Sequence, residues 1–230
     1  KADGAINLTT AMADALRTNT VALDGATAIT LGSDADGAAI DDATIQGLTY
    51  SNYTTSGLGG TSVTIKADGA INLTTAMADA LRTNSVALDG ATAITIDTNG
   101  SGGVLGDATI QGLTYSNYTT TALGGTSVTL LGDGTLSLSK TQADGLISAG
   151  VKIDSGTAIT VDNDASGGTI ADATVQGMTF SSYATSSLGG SSVVIKSDAA
   201  LILSKTQVDA LRSATGVKLD SATALTIDND

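Results

Sequence analysis

The chain has 230 residues, and its composition excludes several classes of chemistry. It contains no Cys, His, Pro or Trp, and all 23 acidic residues are Asp. Because imidazole and thiol groups are missing, the sequence offers no histidine base, no thiolate nucleophile and no Cys/His set for zinc or iron. A net charge of −13 and a pI of about 4.1 disfavour nucleic acid and anionic membrane surfaces and favour cations.

The chain repeats itself at a fixed period, because the stretch that begins at Lys1 begins again at Lys66. Residues 1–30 and 66–95 differ only in the replacement of Thr20 by Ser85. A looser third copy begins at Leu131 and a partial fourth begins at Lys196. We therefore divide the chain into repeat units 1–65, 66–130 and 131–195 and a partial unit 196–230. Self-similarity at a fixed period indicates a repeat architecture rather than a single globular core.

The first half of each repeat predicts a strand followed by a short helix. Ile6 and Leu8 are two residues apart, which places both on one face of a strand. Thr9 then occupies a helix N-cap position, and the third and fourth copies carry a complete S-x-x-Q capping box at 139–142 and 204–207. An apolar stripe beginning at Met12 predicts a helix over residues 10–18, too short to be stable without packing.

A turn and a second strand complete the first half, and a glycine pair marks the second. Asp24-Gly25 predicts a turn into a strand over 28–31. In the second half Gly59-Gly60 predicts a tight bend before a final strand that ends at Ile65. A faint similarity between the halves suggests two coils of about 30 to 35 residues per repeat.

Together these elements predict an α/β repeat protein, a β-strand-rich solenoid with a short helix in alternate coils. A coil of this length cannot bury a core alone, so it must stack on its neighbours. The alternative is a string of small β-rich domains, one for each repeat unit.

Recurrent acidic loops make calcium the candidate cofactor. Calcium binds six to eight oxygen ligands, and alternating Asp or Asn residues in a Gly-bearing loop can supply several of them. The candidate ligands are Asp34, Asp36, Asp42, Asp97, Asn99, Asp107, Asp162, Asp164 and Asp172. The competing interpretation is that Asp, Asn and Gly simply form good turns, and an EF-hand would also need a Glu that this chain lacks.

Two other recurring residue sets have structural interpretations. Asp14 and its counterparts Asp79, Asp144 and Asp209 fall on the predicted helix, where we expect them to be solvated. The tyrosines could form an aromatic strip that binds carbohydrate, but their periodic placement favours packing between coils. The tyrosines are Tyr50, Tyr53, Tyr115, Tyr118 and Tyr183.

The composition and the tandem copies resemble giant repetitive surface proteins of bacteria. The segments 23–30 and 138–146 are similar to segments of calcium-dependent adhesins exported by type I secretion and of surface-layer-like repeat proteins. The G-G-x-G-x-D pattern of RTX repeats is absent, because segment 102–107 is one residue out of register. The resemblance implies an extracellular location at the bacterial cell surface and a role in adhesion or filament building, and it assigns no calcium ligands.

These observations predict a non-enzymatic extracellular scaffold, a repetitive stalk or filament segment that calcium stabilises. The expected partners are neighbouring repeats of the same long chain or further copies in self-association. The alternative is a glycan-binding adhesion module that recognises surface glycans. No apolar run approaches the length of a membrane span, no signal sequence opens the chain, and both ends fall inside a repeat, so we expect an excerpt of a longer protein.

Overall fold

The computed structural model describes residues 4–25 and 27–228, which form parallel β-sheets alternating with short helices. The chain packs into two compact units, Lys1–Gly103 with Asn117–Val128 and Val104–Ser116 with Thr129–Asp230. The strand–helix pattern recurs along the chain, as the repeat predicts. No helix in the described part of the chain is long and apolar enough to cross a membrane.

The elements have the following bounds. The strands are β1 (Ala5–Thr9), β2 (Ala28–Gly32), β3 (Ser62–Ile65), β4 (Ala70–Thr74), β5 (Val86–Leu88), β6 (Ala93–Asp97), β7 (Ser127–Leu130), β8 (Thr135–Ser139), β9 (Val151–Ile153), β10 (Ala158–Asp162), β11 (Ser192–Ile195), β12 (Ala200–Ser204), β13 (Val217–Leu219) and β14 (Ala224–Asp228). The α-helices are α1 (Thr10–Thr18), α2 (Asp42–Gln46), α3 (Thr55–Leu58), α4 (Thr75–Thr83), α5 (Asp107–Gly112), α6 (Thr120–Leu123), α7 (Lys140–Ala149), α8 (Asp172–Gln176), α9 (Thr185–Leu188) and α10 (Lys205–Ser213). Short 3₁₀ helices cover Tyr50–Tyr53, Tyr115–Tyr118 and Phe180–Tyr183.

The first unit contains a four-stranded parallel sheet in the order β1-β2-β3-β5. Ala5 pairs with Ala28 and Ala28 pairs with Ser62, so the connection from β1 to β2 is clearly shorter than the connection from β2 to β3. The predicted coil length of about 30 to 35 residues fits the step from Ala28 to Ser62, whereas the step from Ala5 to Ala28 is shorter than predicted. Since β3 belongs to the first repeat and β5 to the second, one sheet is built from both repeats.

The register of this sheet stacks apolar residues in ladders on one face. One ladder runs Ile6–Ile29–Val63–Val86 and the other Leu8–Leu31–Ile65–Leu88. The members from β2, β3 and β5 are at most 2% exposed. β-Branched side chains fit this arrangement because they pack against one another on a pleated surface. In the same unit β4 pairs with β6 in parallel.

The second unit repeats this arrangement. Its four-stranded parallel sheet has the order β13-β11-β10-β8, and β12 pairs separately with β14. The corresponding ladders run Leu136–Ile159–Val193–Val217 and Leu138–Val161–Ile195–Leu219. The connection from β8 to β10 is again shorter than the connection from β10 to β11. The repeated sequence therefore gives the same kind of parallel sheet in each unit.

The helices of the first half begin where the sequence predicts. The hydroxyl of Thr9 accepts a hydrogen bond from the backbone N–H of Met12, and Ser139 forms a complete capping box with Gln142. Ser204 and Gln207 form a second capping box. These caps satisfy backbone donors that a helix start leaves unpaired. Each helix carries the crossover that parallel neighbouring strands require.

The second half of the repeat is more helical than predicted. Residues 42–58 form α2, a 3₁₀ helix and α3, so the prediction of a helix only in alternate coils is wrong. The side chains of Asp41 and Thr54 cap α2 and α3. Asp and Thr at these positions are typical N-caps, but helices this short give no apolar periodicity to recognise.

Glycine is required at the bend that precedes β3 and its counterparts. Gly124 has φ 81° and ψ −161°, a region that is nearly exclusive to glycine. A Cβ atom there would lie 2.0 Å from the carbonyl oxygen of Leu88. Gly59 and Gly189 make the same close approach to Leu23 and Ile153. The predicted Gly-Gly bend is confirmed, and the close approach to a neighbouring backbone leaves no room for a side chain at its first glycine.

We predict that Gly124→Ala lowers the free energy of unfolding by at least about 2 kcal/mol, because the substitution adds both backbone strain and a steric clash. Urea unfolding followed by far-UV circular dichroism measures the change. The matched control is Gly112→Ala, where a Cβ meets nothing within 4 Å and the helix favours alanine. Equal losses in the two variants would contradict the assignment.

Candidate functional sites

The acidic loop after β6 is built around a fully buried carboxylate. Asp97 is 0% exposed and accepts hydrogen bonds from the backbone N–H groups of Asn99, Gly100 and Gly102. The side-chain oxygen of Asn99 accepts two more, from Ser101 and Gly103, each at 2.9 Å. The loop therefore folds around its own side chains, which compensates for the cost of burying a charge.

The loop after β10 has the same construction. Asp162 is 0% exposed and accepts from the N–H groups of Asp164, Ala165 and Gly167. The carboxylate of Asp164 accepts from Ser166 and Gly168 at 2.9 Å. These N–H donors lower the pKa of Asp164 because they stabilise its charged form.

The loop of the first repeat lacks the buried carboxylate. Asp34 accepts from the N–H groups of Asp36 and Ala38, so it occupies the place of Asn99 and Asp164. The place of Asp97 is taken by Gly32, where a Cβ would lie 2.9 Å from the carbonyl oxygen of Ala38. Asp34 is therefore equivalent to Asn99 and Asp164 rather than to Asp97 and Asp162, and Asp36 is exposed.

The other candidate ligands lie at helix starts. Asp42, Asp107 and Asp172 are the first residues of α2, α5 and α8. One carboxylate oxygen of each is buried and receives no hydrogen bond from the described residues. Burial, reinforced by the negative charges of Asp68 and Asp41, raises the pKa of Asp42. These three oxygens are the recurrent polar atoms whose hydrogen bonding the fold leaves incomplete.

The nine candidate calcium ligands lie at the ends of β6 and β10, in the loops after β2, β6 and β10 and at the starts of α2, α5 and α8. Within residues 4–25 and 27–228, no three Asp side chains converge on a point where a metal ion could bind. In the second and third loops the carboxylates of Asp97 and Asp162 each accept three backbone N–H groups. The Asp and Asn side chains of these loops accept hydrogen bonds from their own backbone, as turn-forming residues do.

The tyrosines are packed inside the protein. All five are at most 7% exposed, and Phe180 is 1% exposed. The hydroxyl of Tyr50 donates to the carbonyl oxygen of Ile45 at 3.0 Å. A carbohydrate platform requires ring faces that a sugar can reach, and these rings are covered. The packing interpretation of the tyrosines is therefore the one that their burial supports.

A second tyrosine in each repeat contacts a helical aspartate that the sequence predicts to be solvated. Tyr118 donates to Asp79 at 3.5 Å, and Tyr183 donates to Asp144. The charge of Asp14 adds to burial in raising the pKa of Tyr53. The aspartate side chains are nearly half exposed, so the prediction of solvated carboxylates is incomplete. Each pair joins residues far apart in sequence and ties the two halves of a repeat together.

A glutamine in each repeat contacts the following repeat. The side-chain amide of Gln46 donates to the carbonyl oxygens of Asn72 and Gly100, both at 2.7 Å. Gln111 contacts Ser137 at 2.7 Å and Ala165 at 3.4 Å, and Gln176 contacts Ile202 at 2.8 Å. Sequence reasoning did not identify these glutamines, although their recurrence at the same place in each full repeat is a signal that could have found them.

Comparison of the chain with protein-family models, curated proteins and solved structures gave no match.

We predict that Asp97→Ala lowers the free energy of unfolding by at least about 3 kcal/mol, because three backbone N–H groups lose their buried acceptor. The matched control is Asp36→Ala, an exposed acidic residue whose loss should cost no more than about 0.5 kcal/mol. Urea denaturation of both variants measures the difference. Indistinguishable midpoints would contradict the structural role of Asp97.

Buried tyrosines predict a loss of stability at high pH. Burial raises the pKa of Tyr50 and Tyr115 to about 12, above the ordinary value near 10. Below pH 10 these tyrosines are protonated in both the folded and the unfolded chain, so their contribution to the free energy of unfolding is complete. Between about pH 10 and 12 the unfolded chain loses these protons first, and that contribution is lost.

The double variant Tyr50→Phe/Tyr115→Phe should flatten this dependence by up to about 1.4 kcal/mol per pH unit for each tyrosine removed. Urea unfolding between pH 8 and 12 measures the slope. A slope that is unchanged in the double variant would contradict the assignment.

Proposed function

We propose that this chain is a non-enzymatic structural scaffold, a repetitive stalk or filament segment in which successive repeats stack as a solenoid. The contact of Gln46 with Asn72 and Gly100 carries this proposal. The same residue type recurs at Gln111 and Gln176 and again donates to the next repeat. Recurrent polar side chains thus serve to hold repeats together, as expected where stability is a sum over neighbour interfaces.

Aspartates at equivalent positions of successive repeats have similar structural roles. Asp97 and Asp162 accept backbone hydrogen bonds in two successive repeats. Asp79 and Asp144 pair with tyrosines at the same spacing. An enzyme needs a distinct group of acids, bases or nucleophiles in one place, and the same construction repeated along a chain favours a structural role.

The extracellular location is part of the same proposal. A net charge of −13 keeps a long repetitive chain soluble and non-adherent to anionic membranes. The resemblance to bacterial surface proteins points to the same place. We therefore place the scaffold at the bacterial cell surface, where a stalk or filament gains from length and repetition.

Immunogold labelling tests the location. Antibodies against this chain should label intact cells that express the natural gene, because a surface stalk is accessible from outside. Permeabilised cells provide the control for total antigen. Labelling that requires permeabilisation would overturn the surface proposal.

Calcium stabilisation stays a prediction from the sequence. If calcium binds the folded chain and not the unfolded chain, the melting temperature must rise with its concentration, since a ligand at about 100 times its Kd adds roughly 2.7 kcal/mol. Thermal melts in EGTA and in millimolar calcium measure this. Magnesium at the same concentration controls for ionic strength, and coincident calcium and EGTA melts would refute the prediction.

A further inference from the structure

The first repeat leaves one apolar face open. An apolar groove runs between β1 and α1, lined by Ile6, Leu8, Met12, Leu16, Val21 and Leu23. Met12 is 43% exposed and Val21 is 50% exposed. A face of contiguous large apolar side chains is uncommon on a protein surface and marks a place where another surface docks.

The second repeat provides an internal comparison with the same sequence. Residues 5–19 and 70–84 are identical, and Val-Ala-Leu follows at both 21–23 and 86–88. In the second repeat these side chains are buried: Val86 is 1% exposed, Leu81 0% and Ile71 2%. Sequence therefore does not determine whether this face is open. The neighbouring segment does.

The segment that covers the second copy is the latter half of the first repeat. β3 pairs in parallel with β5, so that Val63 lies beside Val86 and Ile65 beside Leu88. The N–H of Asp89 donates to the carbonyl oxygen of Ile65 at 2.9 Å. The 3₁₀ helix Tyr50–Tyr53 also contacts α4.

The backbone conformation of the tripeptide differs between the covered and the open copy. Val86–Leu88 forms β5, whereas Val21–Leu23 forms no strand and makes a single bridge from Leu23 to Gly59. The same tripeptide adopts strand geometry only where a β3-type strand lies beside it. The first repeat thus presents an edge already shaped for a parallel strand.

An independent open face lies at β14. Leu225 is 40% exposed and Ile227 is 54% exposed. The corresponding residues of β10, Ile159 and Val161, are at most 1% exposed, and there β11 pairs with β10. β14 pairs with β12, and no strand of the described chain is paired along its other edge. The strand type that covers β10 is again the last strand of a repeat.

We propose that both open faces are docking sites for the second half of a further repeat of this same type. The incoming segment corresponds to residues 34–65, and its last strand adds in parallel to Val21–Leu23 at one face and to β14 at the other. Its apolar side chains complete the ladders that continue through Leu23 and Ile227. This inference rests on the proposed scaffold and specifies how its repeats join.

Single thiols test the proposal, because the natural chain has no cysteine. The V21C variant should react quickly with a maleimide and the matched V86C variant slowly, since Val21 is 50% and Val86 1% exposed. One extra copy of residues 1–65 is then placed ahead of Lys1. The V21C thiol should now react at least about tenfold more slowly, because labelling requires local opening.

The control is the same extended chain with V63D and I65D in the added copy, which should leave V21C at its original rate. V86C should stay slow in every chain, which shows that the parent repeats remain folded. The proposal is overturned if the unaltered extra repeat leaves V21C fully reactive, or if the V63D/I65D copy protects it equally. An extra repeat that does not fold onto this face also leaves V21C fully reactive and therefore counts against the proposal.

A matching arm tests β14. A copy of residues 165–195 appended after Asp230 should slow labelling of I227C towards the rate of V161C, and an unchanged rate overturns the proposal for that face. Both readouts are independent of cellular location. If immunogold labels intact cells but the extra repeats do not slow thiol labelling, the proposed scaffold function is retained. Only the proposed docking of repeats at these two faces is then rejected.

Discussion

Parallel strand pairing in a fixed register controls where every other element of a repeat can lie. The ladder Ile6–Ile29–Val63–Val86 places apolar side chains side by side across two repeats. A slip of one residue would turn each of these side chains to the opposite face and bring Thr30 and Thr64 inward. Parallel pairing also forces a crossover between strands, so the helices follow from the sheet.

In each unit, polar side chains form hydrogen bonds with backbone groups of the crossovers and with one another. Asp97 satisfies the donors of one loop, and Gln46 joins a helix end to the next repeat. Tyr183 and Asp144 fasten one half of a repeat to the other. The buried carboxylates of Asp97 and Asp162 thus have a structural role, because they accept backbone N–H groups that would otherwise be unpaired.

Patterns among residues close in sequence allowed part of the fold to be predicted. The strand at Ile6 and Leu8, the capping box at Ser139 and the bend at Gly59 each depend on residues close in sequence. The role of Gln46 and the burial of Asp97 depend on groups brought together by the fold, so their residue types alone did not reveal them. The short helices in the second half of the repeat were not predicted, because four or five residues are too few to show a helical period of apolar residues.

The tripeptide Val-Ala-Leu shows most clearly what the sequence determines and what the tertiary structure decides. The sequence by itself determined the tandem repeat, the strand–helix order and the helix caps, since these depend on periodicity and local hydrogen bonds. Whether Val21 or Val86 became part of a strand was decided by tertiary structure, because a strand needs a partner for its backbone groups. β3 supplies that partner to Val86, and the same residues at 21–23 remain open without it.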